Sequence, residues 1–395
     1  MNDVVTLTVD RLSSARGVSD LRPAGSFHHH PACFGVSMTS QCSQQTDAFQ
    51  EISRILASRD GRVLEFEILP PAFGPILEDG CSIGLTKKYI VQAFVTARRV
   101  FFDGLQSLGQ DESDPFRHGT EGESSNVELD SELVIASEII LLFDCEHLTA
   151  CNWRKRRLCA LGQADLERHM QELLIELSLT ATYLCSPLHR HTKSPTLWQH
   201  RQWIRSQLIQ GRIPDLQASE NILQAELAVV LRAGELHPRN YYAFSYMRHI
   251  HRLISSVGGE VEGWSVPLAR SIISSTLDWC LAHPTDISGL MFLLYLSDAV
   301  PDAALRLDIV GKVARFAVDV GWEGESIWTF VDLAFRRSDL VEPLDDSRPY
   351  PWNVLRDPIA LDESPHGEDG RSTPWKSWLG RAQAYWAQST NIPLA

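Results

Sequence analysis

The sequence has little of what marks an exported, membrane-spanning or nucleic-acid-binding protein. No stretch reaches the roughly 18 uninterrupted apolar residues that a membrane span requires. The first residues, MNDVVTLTVDRLSS, lack the basic start and apolar run of an export signal. Lysine and arginine total 36 against 50 acidic residues, and the formal charge is −14. Because nucleic-acid affinity comes largely from cations that displace counterions, we expect a cytoplasmic protein with no membrane span and no nucleic-acid partner.

Patterns of metal ligands and cofactor motifs are also missing. The eight cysteines form no CxxC pair, so we expect reduced thiols packed as small apolar groups. Three adjacent histidines at positions 28–30 lie in a polar tract, where they would not build a fixed tetrahedral zinc site. No GxGxxG, GxxxxGK[ST], GxSxG or HExxH motif occurs. We therefore expect no zinc and no other cofactor in this chain.

What is present is enough apolar material for a packed core, since 44% of the residues are hydrophobic and 11 are tryptophan. Residues 1–45 show no sustained period and are predicted to be disordered. Residues 46–108 are predicted to form helices around a short extended segment or hairpin, GRVLEFEILPPAFGP, whose prolines do not fit a helix. Residues 109–130 are rich in acidic residues, Ser and Gly, and they are predicted to be a linker.

Four later segments of the chain repeat in phase. They begin at residues 149, 195, 241 and 287 and read TACNWRKRRL, PTLWQHRQWI, YYAFSYMRHI and ISGLMFLLYL. Their matching positions, Cys151, Trp198, Phe244 and Leu290, are 47, 46 and 46 residues apart, and an apolar helical run precedes each segment. Such a helix pair cannot bury its own apolar face, so neighbouring pairs must stack. Over residues 131–337 the repeat predicts an all-α fold, an α-α superhelix of antiparallel helical hairpins, with a shortened fifth unit at GESIWTFVDLAFRR.

The polar breaks between helical runs carry residues typical of helix ends. The predicted helix starts are Ser194-Pro195, Ser265 with Pro267, Asp286 and Thr373-Pro374. The predicted helix stops are Gly211, Gly234 and Gly258-Gly259. Residues 338–395 are predicted to form a surface loop and a final helix, whose aromatic stripe either caps the last repeat or docks a partner.

The repeated segments resemble the α-subunit repeat of protein prenyltransferases, whose hallmark is an Asn-Tyr lead followed by Trp-x-His-Arg. The second copy carries Trp198, His200 and Arg201. The third copy carries the lead residues Asn240 and Tyr241, with Phe244, Tyr246 and Met247 at the Trp, His and Arg places. The order of the leads most resembles the divergent prenyltransferase α-subunit repeat-containing group.

The resemblance implies a crescent of hairpins around an α/α-barrel β subunit, which holds the zinc and the isoprenoid. This chain would be the α subunit that supports transfer of a farnesyl or geranylgeranyl group from an isoprenoid diphosphate to a C-terminal cysteine of a protein substrate. In the resembled enzymes, a Lys-Asn-Tyr lead places a lysine and a tyrosine near the diphosphate, and the matching positions here are Arg239 and Tyr241. Lys193 and Asn240 are predicted to bind substrate, and the alternative for Lys193 is an ordinary surface lysine. The alternative reading is that Arg239 is a solvated turn residue and Tyr241 an ordinary packing residue.

The other motif residues are predicted to be architectural or interfacial, in contact with a neighbouring hairpin or the partner chain. This set is Trp198, His200, Arg201, Phe244, Tyr246 and Arg248. Two other functions stay open. A non-catalytic scaffold for protein–protein interaction would fit the apolar fourth copy, LMFLLYL. A self-contained isoprenoid enzyme would need an acidic Mg²⁺ cluster, and the only adjacent aspartates are Asp345-Asp346 after the array.

Overall fold

The computed structural model describes most of the repeat region and part of what precedes it. The described residues are 47–111, 122–188, 190–211, 214–257, 264–322 and 324–337. The predictions for residues 1–45 and 338–395, and those for Thr373-Pro374 and Gly258-Gly259, fall outside this part of the chain. Within it the fold is an all-α superhelix with one small sheet, so the predicted fold class is confirmed. The chain divides into two compact units, unit 1 (Met1–Arg156) and unit 2 (Arg157–Ala395).

Unit 1 starts with a short helix and a three-stranded sheet. Asp47 caps helix α1 (Ala48–Ala57) by accepting a hydrogen bond from the Phe49 N–H at 3.1 Å. The strands are β1 (Glu65–Leu69), β2 (Ile76–Asp79) and β3 (Ser82–Thr86). Strand β3 lies in the middle, parallel to β1 and antiparallel to β2. The predicted extended segment is therefore confirmed at β1, whereas β2 and β3, which follow that segment in the chain, were not predicted.

Two long helices of unit 1 pack along each other, α2 (Lys87–Asp111) and α3 (Gly122–Phe143). Because α3 begins at Gly122, the predicted linker is wrong for residues 122–130. The acidic residues there suggested a solvated segment, yet Leu129 within it and Leu133 just after it pack inward. Leu133 is fully buried, and its side chain and that of Leu129 lie against Gly104 of α2.

Buried polar contacts join α3 to the turn after α1 and to the next helix. Arg59 forms an ion pair with Glu138 of α3 at 2.5 Å, and both side chains are almost fully buried. Helix α4 (Leu148–Ala164) is held to α3 by Arg154, which donates to Val134 O and Ser137 Oγ, both at 2.8 Å. The boundary between the units lies inside α4 and not at residue 131, where the repeats were predicted to start. The reason is that α3 packs on α1 and α2.

Unit 2 consists of successive helical hairpins. Its further helices are α5 (Leu166–Leu184), α6 (Pro195–Gly211), α7 (Leu216–Leu236), α8 (Tyr241–Val257), α9 (Ser265–Ala282), α10 (Ile287–Ala299), α11 (Ala303–Asp319) and α12 (Glu325–Arg337). Hairpins 2 to 5 are the pairs α5–α6, α7–α8, α9–α10 and α11–α12. The second helices α6, α8, α10 and α12 pack side by side in that order, and so do the first helices. This arrangement is the predicted stacking of repeats.

The positions that match in the sequence repeat are all buried. Cys151, Trp198, Phe244 and Leu290 are at most 3% exposed. Trp328 of α12 is 2% exposed, and its indole N–H donates to Trp322 O at 2.9 Å. The indole N–H of Trp198 makes the same bond at 2.9 Å to the carbonyl six residues earlier, that of Thr192. The shortened fifth unit is therefore confirmed.

The predicted helix ends agree with the structure in part. Ser194 and Asp286 cap α6 and α10 through their side chains, as predicted. The prediction that Ser265 caps a helix is wrong. Ser265 is the first residue of α9, and the residue before it makes no side-chain cap hydrogen bond. Gly211 ends α6, but Gly234 lies inside α7 and is buried.

Gly234 and Gly289 make room for the indole of Trp279. A Cβ atom at Gly234 would lie 2.8 Å from Trp279 Cζ2, and one at Gly289 would lie 2.5 Å from Trp279 Cζ3. Trp279 also packs edge to face on Phe244, with ring centroids 5.6 Å apart. These two glycines are therefore packing residues that let a large aromatic side chain fit between hairpins 3 and 4.

We predict that Gly289→Ala lowers the free energy of unfolding by about 1–3 kcal/mol, because the added methyl group overpacks against a rigid indole. Gly211→Ala is the matched control: its Cβ meets only the flexible side chain of Met170, at 3.1 Å. That substitution should be neutral or stabilising, since alanine favours the helix. Denaturant unfolding of both variants checks this, and equal stability would contradict the packing role of Gly289.

Candidate functional site

The turns that enter helices α4, α6, α8 and α10 each end in a capping residue. Ser194 Oγ accepts from Leu197 N at 3.1 Å, and Asn240 Oδ1 accepts from Ala243 N at 3.3 Å. Asp286 Oδ1 accepts from Ser288 N at 2.9 Å and Gly289 N at 3.1 Å, and His147 Nδ1 accepts from Ala150 N at 3.2 Å. The positions 147, 194, 240 and 286 keep the period of the repeat while the residue type changes. We call residues 191–194, 237–240 and 283–286 leads 2, 3 and 4.

Each lead of unit 2 is hydrogen-bonded to the next one. Lead 2 reaches lead 3 through Lys193 Nζ, which donates to Pro238 O at 2.8 Å, and through Thr192, whose hydroxyl bonds His237 Nδ1 at 2.5 Å. Lead 3 reaches lead 4 through the Arg239 N–H, which donates to Asp286 Oδ2 at 2.6 Å. The leads therefore form a continuous row along one edge of hairpins 2 to 4.

Lead 3 and the first residue of α8 expose two of the side chains that the sequence singled out. Arg239 is exposed, and its backbone is left-handed with φ 60°, which is uncommon for a residue other than glycine. Tyr241 is 59% exposed, with its ring 4.3 Å from that of Tyr242. Lys193 is exposed and lies beside Arg239, since its ammonium bonds Pro238 O. Two cations and a phenol are thus presented together, while their roles stay predictions.

Asn240 does not fit the predicted role in substrate binding. Its side chain is fully buried, and its Nδ2 donates to Thr192 O at 2.6 Å. The same carbonyl accepts the indole N–H of Trp198, so Asn240 and Trp198 share one acceptor. The side chain is therefore a link between leads 2 and 3 and a helix cap.

The Trp-x-His-Arg residues of α6 are buried inside the chain. Trp198, His200 and Arg201 are at most 3% exposed, and so are Phe244 and Tyr246 in the third copy. These five side chains pack against helices of this chain, and their contact with a partner chain stays a prediction. The alternative of contact with a neighbouring hairpin describes them. His200 Nε2 donates to Glu176 Oε1 at 2.6 Å, so no substrate can reach it for acid–base work.

A buried carboxylate gathers the polar groups of two hairpins. Glu226 of α7 accepts from Arg201 Nε at 2.8 Å, from Arg205 Nε at 2.7 Å and from Tyr246 Oη at 2.6 Å. Arg201 also donates to Leu177 O at 2.8 Å in α5. Burial by itself would raise the pKa of Glu226, but the charges of Arg201 and Arg205 and the hydrogen bonds lower it to about 2. Burial beside this carboxylate raises the pKa of Tyr246, so the phenol stays protonated and donates.

Sequence reasoning missed Glu176 and Glu226, because each pairs with a residue more than 20 positions away. One signal was available. Both glutamates interrupt apolar helical runs, LLIELSL and LQAELAVV, on the side that must face the core. A charged residue in such a place is buried only when it is paired.

Arg248 is the member of the predicted interface set that keeps solvent access. It is half-buried on α8, with its guanidinium 5.8 Å from the ring centroids of both Phe292 and Tyr295. Among the described residues, no group of three or more His, Cys, Asp or Glu side chains could hold a metal ion. In the same ranges, none of the helices combines the length and apolarity needed to cross a bilayer.

Stacked hairpins with in-phase polar cross-links define an α-helical repeat protein, and comparison with known proteins identifies the repeat. Residues 223–254, which include Glu226, lead 3 and most of α8, match the protein prenyltransferase alpha subunit repeat. The resemblance inferred from the sequence is confirmed. Over these residues the chain thus carries an α-subunit-like repeat.

Three curated relatives are similar at low identity, and all are named for this repeat. Protein prenyltransferase alpha subunit repeat-containing protein 1 of Homo sapiens is 28% identical over 182 residues, which is 42% of this chain and 39% of the relative. Protein 1-B of Xenopus laevis is 25% identical over 215 residues, 50% of this chain and 46% of the relative. The Danio rerio protein is 27% identical over 187 residues. The matches span less than half of each relative's length.

We predict that Glu226→Gln destabilises the chain by about 3–5 kcal/mol, because two arginines would remain buried without their counter-charge. Glu235→Gln is the matched control on the same helix. Glu235 pairs with Arg232 at 3.3 Å on the surface, so its loss should cost less than about 1 kcal/mol. Urea unfolding measures the loss of unfolding free energy in each variant. Equal losses would show that the buried network stabilises the fold no more than a surface ion pair does.

Acid should remove the same stabilisation. Because the folded-state pKa of Glu226 is about 2 and its ordinary value is 4.5, the carboxylate stabilises the fold fully above about pH 4.5 and loses this contribution as the pH falls toward 2. The difference in unfolding free energy between the wild type and Glu226→Gln should therefore shrink between pH 5 and pH 2. A difference that stays constant over that range would contradict the assignment.

Proposed function

We propose that this chain acts in the cytoplasm as the α subunit of a heterodimeric protein prenyltransferase. It would support the transfer of a farnesyl or geranylgeranyl group from an isoprenoid diphosphate to a C-terminal cysteine of a protein substrate. The zinc and the isoprenoid are assigned to the partner β subunit, as the family resemblance implies. When bound there, zinc supplies an activated cysteine thiolate.

Lead 3 is the observation that carries the proposal. The part of the lead that shapes the turn, Asn240, is buried and bonded within the chain, whereas the parts suited to an anion, Arg239 and Tyr241, face outward. The Arg239 backbone is held in a left-handed conformation by Asp286. Such strained positions persist where surrounding structure fixes them, and they cluster at functional sites.

The chemistry that these side chains could supply follows from the reaction. As the bond to the isoprenoid carbon breaks, negative charge develops on the departing diphosphate, and cations and hydrogen-bond donors at that place lower the barrier. Arg239 offers a permanently charged fork, and Tyr241 offers an O–H donor. Lys193 adds a second positive charge next to Arg239. Hydrogen bonds between the leads hold the Lys193 ammonium and the Arg239 backbone in place.

The test is coexpression of the chain with each cellular prenyltransferase β subunit, followed by a prenylation assay on acceptors with a C-terminal cysteine. The wild type should bind one β subunit and transfer the lipid. Arg239→Ala should reduce turnover by roughly 10²-fold, the loss typical of one charge-stabilising group, while the heterodimer survives. Tyr241→Phe should reduce it in the same direction by a smaller factor.

Lys312→Ala is the charge-matched control. Lys312 is an exposed cation paired with Asp308 on α11, away from the leads, and its removal should leave turnover unchanged. If no β subunit associates, the proposal fails. If the heterodimer forms but Arg239→Ala and Tyr241→Phe leave prenylation intact, the two side chains are not part of the site.

A further inference from the structure

Arg248 is a half-buried cation on α8. Its guanidinium lies over the rings of Phe292 and Tyr295, and burial lowers its pKa, with the charge of Arg252 acting in the same direction. Among the described residues no carboxylate pairs with it. The whole chain carries 50 acidic and only 36 basic residues, so a surplus of positive charge at one place runs against its overall charge.

The neighbours of Arg248 increase this excess of positive charge. Arg252, one turn further along α8, is exposed, and its Nε donates only to the backbone oxygen of Arg248, at 3.3 Å. His249 is half-buried between them. Like charges four residues apart destabilise a helix. By contrast, Arg201 and Arg205 of α6 both pair with Glu226, a carboxylate of this chain.

The rings beneath Arg248 are fixed in place. His251 Nε2 donates a hydrogen bond to Ser265 O at 3.2 Å. The other ring nitrogen, Nδ1, therefore accepts a hydrogen bond from the Tyr295 hydroxyl at 2.8 Å. Burial lowers the pKa of His251, which favours the neutral ring that this pattern requires. Phe292 and Tyr295 are stacked, with centroids 6.0 Å apart and planes 20° apart. The guanidinium therefore rests on a prepared platform, and little side-chain entropy remains to be lost on binding.

We propose that Arg248 and Arg252 form a binding site for the carboxylate of an aspartate or glutamate side chain that the partner chain presents. The identity of that partner as a prenyltransferase β subunit rests on the proposed function. The missing counter-charge is then supplied by the other chain. Arg248 becomes a central anchor of the interface, since aromatic-packed arginines are typical of binding hot spots.

The donors available here fit a protein carboxylate better than a free phosphate. A guanidinium presents a planar fork that matches the two oxygens of a carboxylate. Phosphate sites usually add backbone amides at a helix N-terminus, but Arg248 lies in the interior of α8, where the amides are bonded within the helix. The Tyr295 hydroxyl is occupied by His251 and offers no further proton.

The first test measures affinity for the β subunit that coexpression identifies. Arg248→Gln should weaken binding roughly 30-fold, the size of an interface hot spot, and Arg252→Gln less. Arg270→Gln is the matched control, because Arg270 is a surface arginine that already pairs with Asp302 at 2.8 Å, and affinity should stay within about 2-fold. Unchanged affinity in Arg248→Gln overturns the inference. So does competition by inorganic diphosphate that depends on Arg248, which would make this a free-anion site.

The second test needs no partner. Arg248→Met keeps the apolar stem on the two rings and removes the uncompensated charge, so the melting temperature of the free chain should stay the same or rise. A fall of more than roughly 3 °C would show that Arg248 is structural and would overturn the inference. If no β subunit binds the wild type, the proposed function fails by itself, and this melting temperature decides the inference.

Discussion

The carboxylate of Glu226 accepts hydrogen bonds from Arg201, Arg205 and Tyr246 while fully shielded from water. Helices α6, α7 and α8 therefore cannot slide past one another without leaving a buried charge or donor unpaired, which is costly. Apolar stacking alone tolerates such sliding, because it has no direction. The positions of hairpins 2 and 3 relative to each other are thus set by polar contacts inside an apolar stack.

The fixed position of the hairpins decides what the leads present. With α6 and α8 in register, Asn240 reaches Thr192 O, and the Arg239 N–H reaches Asp286. These bonds turn the side chains of Arg239 and Tyr241 outward. The same register places Arg248 over the rings of α10. Buried polar groups of the repeat hold the architecture, and a few exposed or half-exposed groups are left for chemistry and partner recognition.

The sequence predicted the hairpins because a 46-residue period is visible without knowing any contact. It also predicted Arg239 and Tyr241 as a pair by their place in the lead, and the structure exposes both. Burial of Asn240 was not predicted, since its partner Thr192 lies 48 residues earlier. The role of Gly234 was missed for the same reason: the rule for helix ends is local, whereas the contact with Trp279 comes from the next hairpin. Pairs such as Arg201 and Glu226 become visible only once the register is known.

Native-state hydrogen exchange of the free chain tests the central claim that polar cross-links join hairpins 2 and 3 into one cooperative block. The account predicts that core amides of α6, α7 and α8 exchange with a common opening free energy, and that the Arg239 amide is protected although it lies in a turn. It would be contradicted if α5–α6 opened independently of α7–α8, or if the Arg239 amide exchanged as fast as an unbonded loop amide.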